Sequence, residues 1–305
     1  MASRQAEEFA AALRSLRMTL PADDPPLEAM RAASEQVVDF AREPTGVSYR
    51  DEAVAGMRGR WAEPDDARPM QVVLYAHGGG YSACSVDSHR RLMGHLAKAA
   101  GCRVLGVDYR LAPEHPHPAA LEDLTSAYRW LLESEHRPTD IAIAGDSAGG
   151  GLAVATLLSL RDDGMPLPAA AVVFSPWTDM TLSGESMISR SEVDVLLTLS
   201  ATRVGVTSFL ASGDPHDPLA SPLYGDLTGL PPLYVQVGDY ELLLDDALRL
   251  AERARIAGVH VMIEVFPEML HVFQLAAGNI PEADEAIGRA GAWLAAHLNA
   301  AVIAR

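Results

Sequence analysis

Three short runs of this chain hold residue types able to break an activated carbonyl bond. Gly145-Asp146-Ser147-Ala148-Gly149 sets a serine between two glycines, after the apolar run Ile141 to Ala144 and at the start of a helical pattern. Glycines flanking a serine permit a sharp strand-to-helix turn that lifts its hydroxyl above a sheet. His77-Gly78-Gly79-Gly80 follows a second apolar run, Val72 to Ala76. Successive glycines let backbone N–H groups converge on one point, which is what an oxyanion forming on a carbonyl requires. A phosphate-binding loop would need Gly-Lys-Ser/Thr here, and that sequence is absent.

A serine hydroxyl is a poor nucleophile until a base takes its proton, so a histidine late in the chain is expected, with a carboxylate to orient it. Among the ten histidines, His271 is the best placed, in Met269-Leu270-His271-Val272-Phe273 after an apolar run ending at Phe266. His95 falls on an apolar helix face, and His115 and His117 lie in a proline-rich turn. His77 is expected to hold the glycine loop by hydrogen bonds. For the carboxylate, the loop after Leu233 to Val237 offers Asp239, Glu241, Asp245 and Asp246. Asp245 suits the cap of the following helix, which leaves both Glu241 and Asp239 open as the partner of His271.

Such groups need a scaffold. Residues 1–45 pattern as helix, with Phe9, Ala12 and Leu13 at helical spacing and a break at Pro25-Pro26. Val47 to Tyr49 and Val54 to Trp61 read as strands, followed by short apolar runs at Val72 to Ala76, Val104 to Val107, Ile141 to Ala144, Ala170 to Phe174, Leu233 to Val237 and Val259 to Phe266. Helical patterns lie between the later runs, and this alternation predicts a mostly parallel sheet covered on both faces. Residues 177–230 are too long for an ordinary connection. They read as an insertion, helical over Thr198 to Leu210, that joins residues 1–45 in a cap over a catalytic domain spanning 46–305.

Composition narrows the function. The formal charge of −17 opposes nucleic acid and anionic membrane surfaces. Two cysteines, Cys84 and Cys102, make no disulfide framework and no zinc or redox motif. The amino terminus lacks the basic start and apolar run of a secretory signal, so the expected location is cytoplasmic.

Taken together, His77-Gly78-Gly79-Gly80-Tyr81, Asp108-Tyr109-Arg110-Leu111-Ala112-Pro113-Glu114, Gly145-Asp146-Ser147-Ala148-Gly149-Gly150, Ser175-Pro176-Trp177 and His271-Val272-Phe273 resemble, in family order, the hormone-sensitive lipase-like (bacterial family IV) carboxylesterases. The resemblance implies an α/β-hydrolase fold, with an eight-stranded, mostly parallel sheet flanked by helices and covered by a helical cap. It implies a serine carboxylesterase acting on short- to medium-chain acyl esters, with no cofactor and no metal. Ser147 becomes the nucleophile and His271 the base, and the N–H groups of Gly78, Gly79 and Ala148 form the oxyanion hole. The family acid is usually the aspartate of Asp-Pro-Leu-x-Asp-Glu. Aligning its acidic pair with Asp245-Asp246 puts Glu241 in that place, as in one branch of the family.

Cys84 stands where the family usually has glycine, and is either a shaper of the pocket or a small buried thiol. Arg110 and Glu114 are expected to brace the glycine loop. Tyr81, Trp177, Phe209, Leu242 and Met269 are expected to wall the substrate pocket, although ordinary core packing explains each equally well. Lactone hydrolysis, a specialised natural-product hydrolase or cyclase, and a non-catalytic small-molecule receptor are the alternatives on this scaffold. Relatives often pair through an edge strand, which makes Val259 to Phe266 a candidate homodimer contact.

Overall fold

The computed structural model of the chain describes residues 2–19 and 26–303. The helical start is α1 (Arg4–Thr19) and α2 (Leu27–Glu35), followed by a 3-10 turn over Gln36–Phe40. The break expected at Pro25-Pro26 falls partly on residues 20–25, outside those described, and Pro26 is the residue preceding α2.

Then come β1 (Val47–Val54), β2 (Met57–Pro64), β3 (Arg68–Ala76), α3 (Arg90–Ala100), β4 (Cys102–Val107), α4 (Ala119–Glu133), β5 (Ile141–Asp146), α5 (Ser147–Asp162) and β6 (Ala170–Phe174). The chain continues with α6 (Ser186–Ser189), α7 (Leu199–Leu210), β7 (Leu233–Gly238), α8 (Leu244–Ile256), β8 (Val261–Phe266) and α9 (Pro281–Ile303). One early strand was misread. Val54 to Trp61 is not continuous, because the chain reverses at Ala55 and Gly56, both with positive φ, and the partners on either side pair antiparallel.

The eight strands lie in the order β1-β2-β4-β3-β5-β6-β7-β8. β1 and β2 pair antiparallel and β2 meets β4 antiparallel, while every pairing from β4 across to β8 is parallel. The central strands are buried on both faces, which is why they read as unbroken apolar runs.

Side-chain alternation along β3 separates two cores. Val72, Leu74 and Ala76 join the cluster under α4, α5 and α8, and Val73 and Tyr75 join the one under α3 and α9. Parallel strands deliver all their C-terminal loops to one edge of the sheet, where ligand sites of open α/β folds form.

Two segments reach that edge from outside the sheet. Leu13 of α1 and Val195 of the 177–230 insertion pack with Leu270, one residue before His271. α1 also docks on the last helix, where the backbone N–H and hydroxyl of Ser3 donate to Glu282 at 2.5 and 2.8 Å. In the insertion, Thr198 caps α7 by accepting the Ala201 N–H at 3.1 Å. β8 is an edge strand with Met262 and Val265 partly exposed.

Leu74 is fully buried at the middle of the sheet. Leu74→Ala should therefore cost about 2–5 kcal/mol of unfolding free energy, read from urea midpoints. A loss below about 1 kcal/mol would mean that the core collapses around the cavity.

Candidate active site

The turn from β5 into α5 holds Ser147 in the left-handed region, at φ 53°. A non-glycine residue there carries backbone strain that neighbouring contacts must offset. Close packing makes the turn possible, since a side chain on Gly149 would run into the carbonyls of Ala76 and His77 at the end of β3. The hydroxyl of Ser147 lies 2.9 Å from His271 Nε2, and His271 Nδ1 lies 2.8 Å from Glu241 Oε2. All three residues are buried, Glu241 completely.

Glu241 is held at its other oxygen. Oε1 accepts the Gly238 N–H at 2.6 Å and the Ser175 hydroxyl at 2.8 Å. The same Ser175 hydroxyl accepts the Val272 N–H at 3.1 Å, so one side chain joins the loop after β6 to both the acid and the histidine loops. Burial works against a charge on His271, but the Glu241 hydrogen bond and charge outweigh it and raise the imidazole above its usual value. Asp239, the other candidate acid, faces away and accepts the Glu268 N–H.

The glycine loop is built differently from the expectation. Gly78 donates its N–H to Asp146 Oδ1 at 3.0 Å, so that group is engaged and does not point into the site. Among the described residues, no acceptor takes the N–H of Gly79 or Gly80. The N–H of Ala148, in the first turn of α5, has no carbonyl one turn earlier to bond. Gly79 sits at φ 110°, and a side chain there would meet the Ala83 carbonyl.

Asp146, which the sequence pattern marks only as a motif position, is the hub of the hydrogen bonds beneath the Ser147 turn. Besides Gly78, its carboxylate accepts the Tyr75 hydroxyl at 2.7 Å and lies 3.2 Å from His89 Nε2. Burial alone would favour the neutral acid, yet His89 and Tyr75 hold Asp146 below the ordinary carboxylate range. His77 stacks on Tyr109 with ring centroids 4.3 Å apart, and its Nδ1 is 2.7 Å from the Gly78 carbonyl. It steadies the loop, as expected. The Tyr109 hydroxyl donates to the His77 carbonyl at 2.7 Å.

Arg110, expected to brace this loop, instead pairs with Asp123 and Glu122 on α4. The brace comes from Arg31 of α2, which donates to the Ser82 carbonyl at 2.8 Å, the Ala112 carbonyl at 3.1 Å and Glu114 at 2.7 Å. Asp245, expected from the sequence to cap α8, does not do so. It lies in the first turn of α8 and accepts the Ser186 N–H across the insertion at 2.9 Å.

Of the apolar wall, Tyr81 and Phe209 stack at 3.7 Å, and Trp177 lies 6.2 Å from Tyr81. Leu242 belongs to the same cluster. Met269 does not, because it packs with Phe266 and Phe273 on the opposite face of the sheet. Cys84 is buried, its Sγ 3.8 Å from the Ser34 carbonyl, and burial pushes the thiol up to about 12. With Arg31, Glu35, Leu111, Glu114 and His115 it lines a cavity of ≈ 390 Å³.

The fold that carries this Ser147-His271-Glu241 line is shared with known proteins. Residues 73–275 match the α/β hydrolase fold family, and the chain belongs to it. Within that fold it is a carboxylic ester hydrolase of the hormone-sensitive lipase-like group. An acetyl-hydrolase of Streptomyces hygroscopicus is 49% identical over 77% of this chain and 78% of its own length. An esterase of Acinetobacter venetianus is 39% identical over 81% of this chain and 82% of its own. The crystal structure of an esterase from the bacterial hormone-sensitive lipase family is 43% identical and superposes with a TM-score of 0.94, covering 98% of this chain and 99% of that one. Among the described residues, no helix is long and apolar enough to cross a membrane.

Two buried groups near the site tie stability to pH with opposite signs. Burial, and then the charge of His89, lower His77 to about 3, below the ordinary histidine value. Between that value and about 6.5 the unfolded chain holds the proton, so acidification penalises the native state. Burial raises Asp246 to about 7. Between about 3.9 and that value the native state holds the proton, so acidification favours it. As pH falls from 6.5 to 4, His77→Gln should therefore gain stability relative to the parent by up to about 1.4 kcal/mol per pH unit, and Asp246→Asn should lose it. Urea midpoints across this range test both, and parallel curves would contradict the assignment.

Proposed function

We propose that Ser147, His271 and Glu241 form the catalytic triad of a serine carboxylesterase for short- to medium-chain acyl esters. The reading rests on the continuous line of 2.9 and 2.8 Å contacts from the Ser147 hydroxyl through His271 to Glu241. In this mechanism His271 Nε2 takes the Ser147 proton as the oxygen attacks the ester carbonyl. The oxyanion is held by Gly79, Gly80 and Ala148, the amides left without acceptors. His271 then protonates the leaving alcohol and next activates water, which releases the acyl group from Ser147. Glu241 fixes the tautomer and stabilises the imidazolium.

Residues 1–45 and 177–230 act as the cap, a role supported by the meeting of Leu13 and Val195 over Leu270. The Tyr81–Phe209 stack closes the pocket at short range, which favours small acyl groups. In line with that preference, a relative 37% identical over 97% of this chain and 99% of its own has been crystallised and soaked with p-nitrophenyl butyrate.

The purified protein should hydrolyse p-nitrophenyl butyrate faster than the laurate. Ser147→Ala should be inactive, and Glu241→Gln should lose about 10³–10⁴ in kcat. Because only neutral imidazole accepts the proton, kcat/KM should fall as pH drops through a value above 6.5, the ordinary histidine value from which His271 is raised. Activity surviving in Ser147→Ala would overturn the triad. A receptor or a dedicated lactone enzyme would show no p-nitrophenyl ester turnover in the parent.

A further inference from the structure

Leu242, the residue after Glu241, has both of its backbone polar groups tied to the inserted segment. Its N–H donates to Asp194 Oδ2 at 2.8 Å, and its carbonyl accepts the Ser186 hydroxyl at 2.5 Å. Ser186 is further interlocked with Asp245, whose N–H reaches the Ser186 hydroxyl at 3.1 Å. Asp194 is itself fixed, since its Oδ1 accepts the N–H groups of Leu196 at 2.9 Å and Leu197 at 2.8 Å. The next residue, Val195, packs on Leu270. One short stretch of the insertion therefore touches the chain immediately after the acid and immediately before the histidine. Ser186, Asp194, Val195, Leu242 and Leu270 are all buried.

Asp194 lies between α6 and α7, where holding its own turn engages only Oδ1, while Oδ2 reaches out to Leu242. A carboxylate out of water is costly unless its hydrogen bonds are made, and here they are made to a turn of the insertion on one side and to the acid loop on the other. Its charge faces His271 together with those of Glu241 and Asp146, and after Glu241 it is the next to favour the imidazolium.

We infer that Asp194 is a positioning residue for the esterase reaction. It locks the Glu241 loop, and through it the His271 imidazole, to the inserted segment and adds negative potential where the imidazolium forms. The inference rests on the triad reading above and adds that the 177–230 insertion sets the geometry of the acid–base arm as well as covering the pocket.

The test uses the full-length enzyme with p-nitrophenyl butyrate, with Ser147→Ala as control. In Asp194→Asn an amide oxygen can still serve one side, but an N–H₂ then faces a donor on the other. The variant should lose about 10- to 100-fold in kcat, the size of a small misplacement of catalytic groups, with KM little changed. The acid limb of its kcat/KM profile should move to lower pH. Asp194→Glu should recover the acid limb and part of the rate. Ser186→Ala, which removes the carbonyl partner without changing charge, should lower kcat and leave the acid limb in place.

A purely structural role would lower Tm without moving the acid limb or kcat at 25 °C. The inference is overturned if folded Asp194→Asn keeps the parent's kcat and acid limb while Ser147→Ala is inactive. If Asp194→Asn does not fold, an unchanged kcat in Ser186→Ala overturns it instead. A Ser147→Ala variant that retains activity sinks the triad reading itself, which separates the two failures.

Discussion

A single buried carboxylate, that of Asp146, joins the Ser147 turn to the glycine loop, and the geometry of both depends on it. An ionised group in that position is tolerated only if its acceptor sites are filled. Tyr75, Gly78 and His89 fill them from three directions. Each partner is thereby fixed in turn. Tyr75 projects from the α3 face of β3, His89 precedes α3, and Gly78 begins the loop after β3. Because Gly78 gives its N–H to Asp146, the two amides that follow are, among the described residues, the ones of this loop left without acceptors. The residue beside Ser147 thus determines which backbone groups of the glycine loop stay unengaged.

The opposite side of the site has a comparable junction at Ser175. Its hydroxyl donates to Glu241 and accepts from Val272, so the loops after β6, β7 and β8 are held to one another by a single oxygen. These loops emerge at the same edge because the strands are parallel. The sheet brings the chain ends near one another, and the final few tenths of an ångström are set by Asp146, Ser175 and the ties from outside the sheet. Arg31 makes such a tie beside the glycine loop.

The central strands and the nucleophile turn were legible in the sequence because full burial writes an unbroken apolar run, and because a strand followed by glycine, serine and helix has few other readings. What escaped has identifiable causes. The β1–β2 turn sits in a stretch with an alanine at a positive-φ position, where a turn residue such as asparagine would have marked it. Met269 was placed on the wrong face because the turn after Phe266 breaks the alternation of β8. Glu241 and Asp239 are chemically alike and two residues apart, so only the resemblance favoured one of them. Asp146, His89 and Ser175 were invisible in their roles because those roles come from partners brought together by folding. A buried aspartate at the end of an apolar strand was nonetheless a signal that partners must exist.

The docking of α1 on α9 bears on how the fold is assembled. Ser3 bonds Glu282, Ala6 is buried in the cluster under α9, and Leu13 completes its contacts with Val195 and Leu270. α1 therefore depends on partners far along the sequence, and contacts of such long separation form late in folding. During that interval the apolar stripe of α1 is uncovered. Until those contacts form, Leu270, beside His271, also lacks its packing partner from α1.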